Sequence, residues 1–270
     1  MSAPTTTARG RSREMFRGAV APSMVLPWTA RVLLLALVLG MWQWYGMRPE
    51  SFAIAPVTEV AAAMWEGLVG GEFVRAAGGT LLTMLVGYTI AAFLGVGFGL
   101  FIGVSRYARN TLEPLVHAGY ATPVSLLIPI IGIYTGLDFR GRVILTVLWC
   151  VFEILVNTTT GIREVSPALI EVGRAFNTPR RHLYFKIVLP AAMPYIMLGL
   201  RIGVGRAIRG AVTAELLLAA ANLGAVLLIA GSTFDVPKLL AGIVFTMIMG
   251  LVLMKVAEVI ERRALAYRTA

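Results

Sequence analysis

Reactive side chains are scarce in this chain, and each scarcity removes a class of function. The single cysteine, Cys150, lies inside an apolar run, which excludes a disulfide scaffold and a thiolate metal site. The two histidines, His117 and His182, are far apart and leave little for a metal centre. The lysines are Lys186, Lys238 and Lys255, and none sits in a phosphate-cradling G-x-x-x-x-G-K-S/T loop. The chain is therefore not itself an ATPase of that type. Its 14 Asp and Glu are scattered, against the clustered acid–base or serine machinery of a membrane enzyme. Charged residues make up only 14% of the chain, against 58% hydrophobic, and mean hydropathy is +0.80. No soluble domain has that balance.

What the chain has instead is apolar length. About six runs are long enough to cross a bilayer, at about 28–45, 81–104, 115–134, 143–160, 195–221 and 239–259. The fold class is an all-α membrane protein: a basic arm over 1–27, then a transmembrane domain over 28–270. Arg9, Arg11, Arg13 and Arg17 of the arm precede any apolar run and suit disorder or contact with anionic lipid. The first run has the position of a signal peptide. Trp42, Trp44 and Tyr45 follow it in place of small residues, so it reads as an uncleaved anchor with an interfacial belt.

Between the spans, 48–80 reads as an exported loop holding an amphipathic helix near Val57–Val69, and 222–237 as a second exported loop. Gly87, Ala91, Gly95, Gly99 and Gly103 form a four-residue stripe that lets another helix approach closely. Pro123 and Pro129 should kink or partly unwind the third span, and irregular backbone at that depth needs a protein wall or a wet cavity. Both prolines are therefore assigned to a pathway.

The fourth span carries Glu153. The fifth carries Arg201, Arg206, Arg209 and Glu215, an unusual load in hydrocarbon. Arg201 sits only about 10 Å beyond Pro194 and can snorkel; Arg209, roughly 22 Å in, cannot. Arg209 must face a carboxylate or a water-filled cavity, with Glu153 its expected counter-ion, while Arg206 is intermediate. This basic span favours an anionic solute.

Placing the N-terminus in the cytoplasm puts 16 of the 24 Lys and Arg on cytoplasmic segments and five on exported loops. That obeys the positive-inside rule, with both termini cytoplasmic. The net charge of +10 is thus a topology signal, and no nucleic-acid partner is implied.

The one long polar segment, 161–192, faces the cytoplasm in this orientation. Within it Ser166 and Pro167 form a cap-and-start pair, and Asn177 suits the left-handed residue that ends a helix. Thr178 and Pro179 repeat the start, so two short helices meet at a sharp corner, the second leading to Pro190. Leu169, Ile170, Phe176, Leu183 and Tyr184 provide apolar knobs for a partner's groove. A helix lying on the membrane surface is the plainer alternative.

The spacing of Glu171, Val172, Gly173, Asn177, Ile187, Leu189 and Pro190 resembles the EAA motif of binding-protein-dependent ABC importer permeases. Val172 and Gly173 replace two alanines, and Asn177 replaces a glycine. FAIAPVTEVAAAMWEG, EPLVHAGYATPVSLLIPI and LPAAMPYIMLGLRIGVGRA resemble the nitrate/sulfonate/taurine branch, from Phe52 to the C-terminus. The resemblance implies a type I permease fold in a bacterial inner membrane and a pore made by two copies of the chain. It also implies two cytoplasmic subunits that bind ATP and Mg, and a periplasmic or lipid-anchored solute-binding protein; this chain itself would hold no cofactor. The ATPase-coupling set would be Leu169, Ile170, Glu171, Gly173, Arg174, Phe176, Asn177 and Pro190. A stand-alone secondary transporter of a small anion also carries polar groups in its spans, but it has no use for a docking corner. The sequence shows no internal repeat of the kind inverted-repeat carriers have.

Overall fold

The computed structural model describes residues 28–48 and 54–266. The basic arm lies outside the described residues. Those residues are helical with short connections, and no strand occurs among them. In order the helices are α1 (Trp28–Gly46), α2 (Val57–Val69), α3 (Glu72–Val104), α4 (Arg106–Ala121), α5 (Ile128–Thr135), α6 (Phe139–Arg163), α7 (Pro167–Ala175), α8 (Arg180–Leu183), α9 (Leu189–Ala214), α10 (Asn222–Ser232) and α11 (Val236–Ala264).

The centre is a cluster of three helices, α3, α6 and α9, which all pack on one another, α6 most extensively on both of the others. The small-residue stripe of α3 explains the closeness of the first pair. A Cβ added to Gly87, Gly95, Gly99 or Gly103 would come within 2.6–2.8 Å of Thr146, Ile154, Thr158 and Ile162 respectively. Ala91 and Cys150, both fully buried, supply the remaining rung. The partners on α6 therefore repeat every four residues too, and two matched stripes set the crossing. Packing is what the stripe does. The same Ile154 side chain also packs on α9, where its Cγ1 lies 2.9 Å from where a Cβ on Gly203 would stand.

Several expected boundaries need correction. Among the described residues four helices can span a membrane by length and apolarity, and five if α4 and the segment Val124–Thr135 count as one broken span, against the expected six. The first expected span does form α1, 19 residues long, which is not among those four. Its Trp42 indole donates to Ala55 O at 3.0 Å, tying it to the entry of α2. The amphipathic α2 forms as expected, whereas α3 starts nine residues before the expected 81 and runs 33 residues. At 1.5 Å per residue that is about 50 Å, well beyond a hydrocarbon core of about 30 Å.

The third span is broken rather than kinked: α4 and Val124–Thr135 meet at 87°. Pro123 stands in extended backbone at the break. Pro129 unwinds nothing, because it lies in the first turn of α5, where a missing N–H is harmless. The fifth span does not begin after Pro194, and the helix from the corner does not stop at Pro190. One helical run continues from Arg180 to Leu218. A wider π turn over Tyr184–Val188, closed by Leu189 N–H to Tyr184 O, makes room for Pro190 without ending the helix. Finally, the expected loop at 222–237 is mostly α10, an apolar helix buried through Leu223, Gly224, Val226 and Ala230.

Candidate functional site

The polar corner is built as its residue types dictate. Pro167 opens α7, although the Ser166 side chain makes no capping bond. At the other end Asn177 adopts φ +51°, and two bonds close the turn: Thr178 N–H to Gly173 O at 3.1 Å and Asn177 N–H to Arg174 O at 2.9 Å. This is the Schellman pairing, with Asn in the position where glycine is commonest. Gly173 is buried, and a Cβ there would lie 2.5 Å from Leu183 Cδ1. Its lack of a side chain folds α7 against α8. Leu183 is buried and Ile170 packs on the core of Ile162, Val165, Val188, Ala192 and Ile196, whereas Leu169, Val172 and Phe176 are exposed. These three share one helix face by their i, i+3, i+7 spacing. Phe176, at 81% exposure, is the most prominent of them. Glu171 and Arg174 are exposed beside this face. Of the expected coupling set, then, Leu169, Glu171, Arg174 and Phe176 point outward, while Ile170, Gly173, Asn177 and Pro190 shape the corner.

The second arrangement lies inside the bundle. Arg206 Nη2 stands 3.0 Å from Glu153 Oε2. The Tyr120 hydroxyl donates to the same oxygen at 3.3 Å, and Asn157 Nδ2 donates to Glu153 Oε1 at 3.3 Å and to its backbone carbonyl at 2.8 Å. Arg206, Glu153 and Tyr120 line a cavity of about 290 Å³ walled by the end of α4, the break at Pro123, α6 and α9. Of these side chains Arg206, at 37% exposure, is more open than Glu153, at 11%.

Glu153 therefore pairs with Arg206, not with Arg209 as expected from depth. The cause is register. Gly203 rests on Ile154 and Gly210 on Trp149, so the two helices run antiparallel and Arg206 comes level with Glu153. Arg209 falls one turn away and is turned about 60° further round the helix. Its Nε donates to Gly205 O at 3.0 Å on the side where Met254 of α11 packs. Arg209 and Pro129 do not line the cavity; Arg206, Glu153 and Pro123 do. Arg201 has a structural partner, as its shallow depth suggests: Nη1 to Glu261 Oε2 is 2.9 Å.

A third polar cluster escaped sequence reasoning except for its carboxylate. Glu215, fully buried, accepts from Thr80 Oγ1 at 2.7 Å and from Asn222 Nδ2 at 2.6 Å, with Arg142 Nη1 at 3.8 Å. Leu223 N–H in turn donates to Thr80 Oγ1 at 3.3 Å. The cluster joins α3, α6, α10 and the C-terminal end of the fifth span. Glu215 in an apolar run was the one visible signal. Among the described residues no group of His, Cys, Asp or Glu could hold a metal ion.

Long apolar helices closely packed through small residues, polar pairs in the interior and an exposed amphipathic corner define a multi-pass membrane transport protein. The chain belongs to the family of binding-protein-dependent transport system inner membrane components, whose model matches residues 95–265. It is the permease component of such an importer. It is 27% identical over 246 residues to the putative aliphatic sulfonates transport permease SsuC of Bacillus subtilis (strain 168), covering 90% of this chain and 89% of that one. Over 174 residues it is 27% identical to the nitrate import permease NrtB of Synechocystis sp., covering 64% and 63%. It is also 29% identical over 244 residues to the riboflavin transport permease RibX of Chloroflexus aurantiacus, covering 89% of each. Among solved structures it resembles an inward-facing MetNI methionine ABC transporter, with a TM-score of 0.61 and 17% identity over 68% of this chain and 92% of that one. That likeness supports the type I permease fold.

Proposed function

We propose that this chain lines the pathway of an ATP-driven importer for a small anion, of sulfonate or nitrate type, delivered by a periplasmic or lipid-anchored binding protein. The observation that carries the reading is the Arg206 guanidinium, set against Glu153 and open to a cavity of about 290 Å³ beside the broken helix at Pro123. A cation held in hydrocarbon by a single counter-ion is costly and marks a site of use. Relatives named for sulfonate and nitrate agree with an anionic solute; the one named for riboflavin keeps the question experimental.

ATP and Mg would be bound by a separate cytoplasmic subunit, two of which serve a pair of permease chains. Each would grip the exposed Leu169, Val172 and Phe176 face of α7, with Glu171 and Arg174 at its edge. Gly173 and Asn177 hold that face in place, and the continuous helix through Pro190 carries its movement directly into α9. Both termini would lie in the cytoplasm, a placement that the distribution of Lys and Arg favours.

The test is reconstitution of the permease with its ATPase and binding protein in proteoliposomes. ATP-dependent uptake of labelled methanesulfonate or nitrate, with no uptake of riboflavin, supports the reading. Uptake of riboflavin but of neither anion rejects it.

A further inference from the structure

Glu153 and Arg206 occupy the cavity in a way that allows their bond to be traded. Arg206 Nη2 stands 3.0 Å from Glu153 Oε2, and the arginine side chain remains 37% exposed. Glu153 is held more fully. Besides Arg206 it takes the Tyr120 hydroxyl at 3.3 Å on Oε2 and the Asn157 amide at 3.3 Å on Oε1. Withdrawing the guanidinium would leave this carboxylate with two donors. Withdrawing the carboxylate would leave the guanidinium bare unless another anion took its place, and a bare buried charge is strongly disfavoured.

We propose that Glu153 is an internal stand-in for the transported anion. The solute enters the cavity, replaces the Glu153 carboxylate on Arg206, and is expelled when Glu153, still parked on Tyr120 and Asn157, returns. This rests on the cavity being part of the pathway. It also narrows the substrate class. A group that substitutes for a carboxylate on a planar guanidinium presents two oxygens at carboxylate spacing, as nitrate, sulfonates and carboxylates do. Spherical halides lack that geometry. Exchange also keeps Arg206 paired at every stage, so the positive charge lowers the barrier for an anion without becoming a trap. Glu153 would then be a specificity- and release-determining residue, and Tyr120 the residue that positions it.

The experiment uses the purified permease–ATPase complex, with methanesulfonate, nitrate and chloride as probes. Binding is read by calorimetry without the binding protein, and uptake in proteoliposomes with it. Glu153→Gln removes the competitor while keeping the shape, so methanesulfonate should bind several-fold tighter and turn over more slowly. Tyr120→Phe removes a parking donor and leaves Glu153 more firmly on Arg206, so binding should weaken several-fold. Opposite signs in two variants that both co-purify with the ATPase are not what a merely structural pair would produce. Wild-type uptake of the anion together with unchanged or weaker binding in Glu153→Gln overturns the exchange and leaves the anion pathway standing. Absence of any anion uptake by the wild type overturns both. Chloride bound as tightly as methanesulfonate also overturns the exchange.

Discussion

Thr80 and Glu215 meet across 135 residues of chain, hydroxyl to carboxylate at 2.7 Å, in the fully buried junction where α3 touches the end of the fifth span. The same Thr80 oxygen accepts Leu223 N–H, so one side chain fixes both the carboxylate and the first turn of α10. Losing such a bond leaves a buried polar partner unsatisfied, at about 1–3 kcal/mol.

Thr80→Val should therefore destabilise the detergent-solubilised protein by about that amount. Glu215→Ala, which strands Arg142 in the interior, should cost about 3–5 kcal/mol. Thermal unfolding followed by tryptophan fluorescence checks both, and a shift for Thr80→Val no larger than that of an exposed control such as Thr89→Val would contradict the assignment.

The α3–α6 seam predicts a sharp contrast between neighbouring glycines. Gly99→Ala would set a Cβ 2.6 Å from that of Thr158, so the helices must separate, at about 1–3 kcal/mol. Gly97→Ala, two residues away, has nothing within 4 Å and should be neutral or stabilising by up to about 1 kcal/mol. Equal effects of the two in the same unfolding assay would remove the seam from the account.

At the corner, Asn177 occupies φ +51°. Asn177→Gly should be tolerated, while Asn177→Val should cost about 1–2 kcal/mol locally through its Cβ. That strain should loosen α7, increase its proteolysis and lower the yield of co-purified ATPase. Wild-type protection of α7 in Asn177→Val would count against the turn.

The outward face of α7 gives the docking prediction. Val172→Asp with Phe176→Asp leaves Gly173, Asn177 and Leu183 untouched, so the corner should persist while the ATPase no longer co-purifies. Retention of the ATPase at wild-type stoichiometry would place its dock elsewhere.

Much of this was legible from local pattern, and the failures share a cause. The four-residue stripe on α3, the helix over Val57–Val69 and the left-handed Asn177 each depend on nearby residues, and each is present as read. Pro190 and Pro194 look like stop signals locally. Helix continuity there depends on a π turn and on packing of α9 against α6. Depth along a helix matched Glu153 with Arg209, one turn from its actual partner Arg206, because pairing needs the register between α6 and α9, which sequence spacing within either helix does not contain. The partners of Glu215 come from α3, α6 and α10, so only its own oddity in an apolar run could be seen.

Passage of an anion beside Arg206, driven from outside the chain as proposed, is tested by Arg206→Gln in the reconstituted complex, with uptake and ATP hydrolysis measured on the same preparation. The variant should assemble and retain basal ATP hydrolysis but lose most methanesulfonate uptake. Uptake at the wild-type rate in that variant would contradict it.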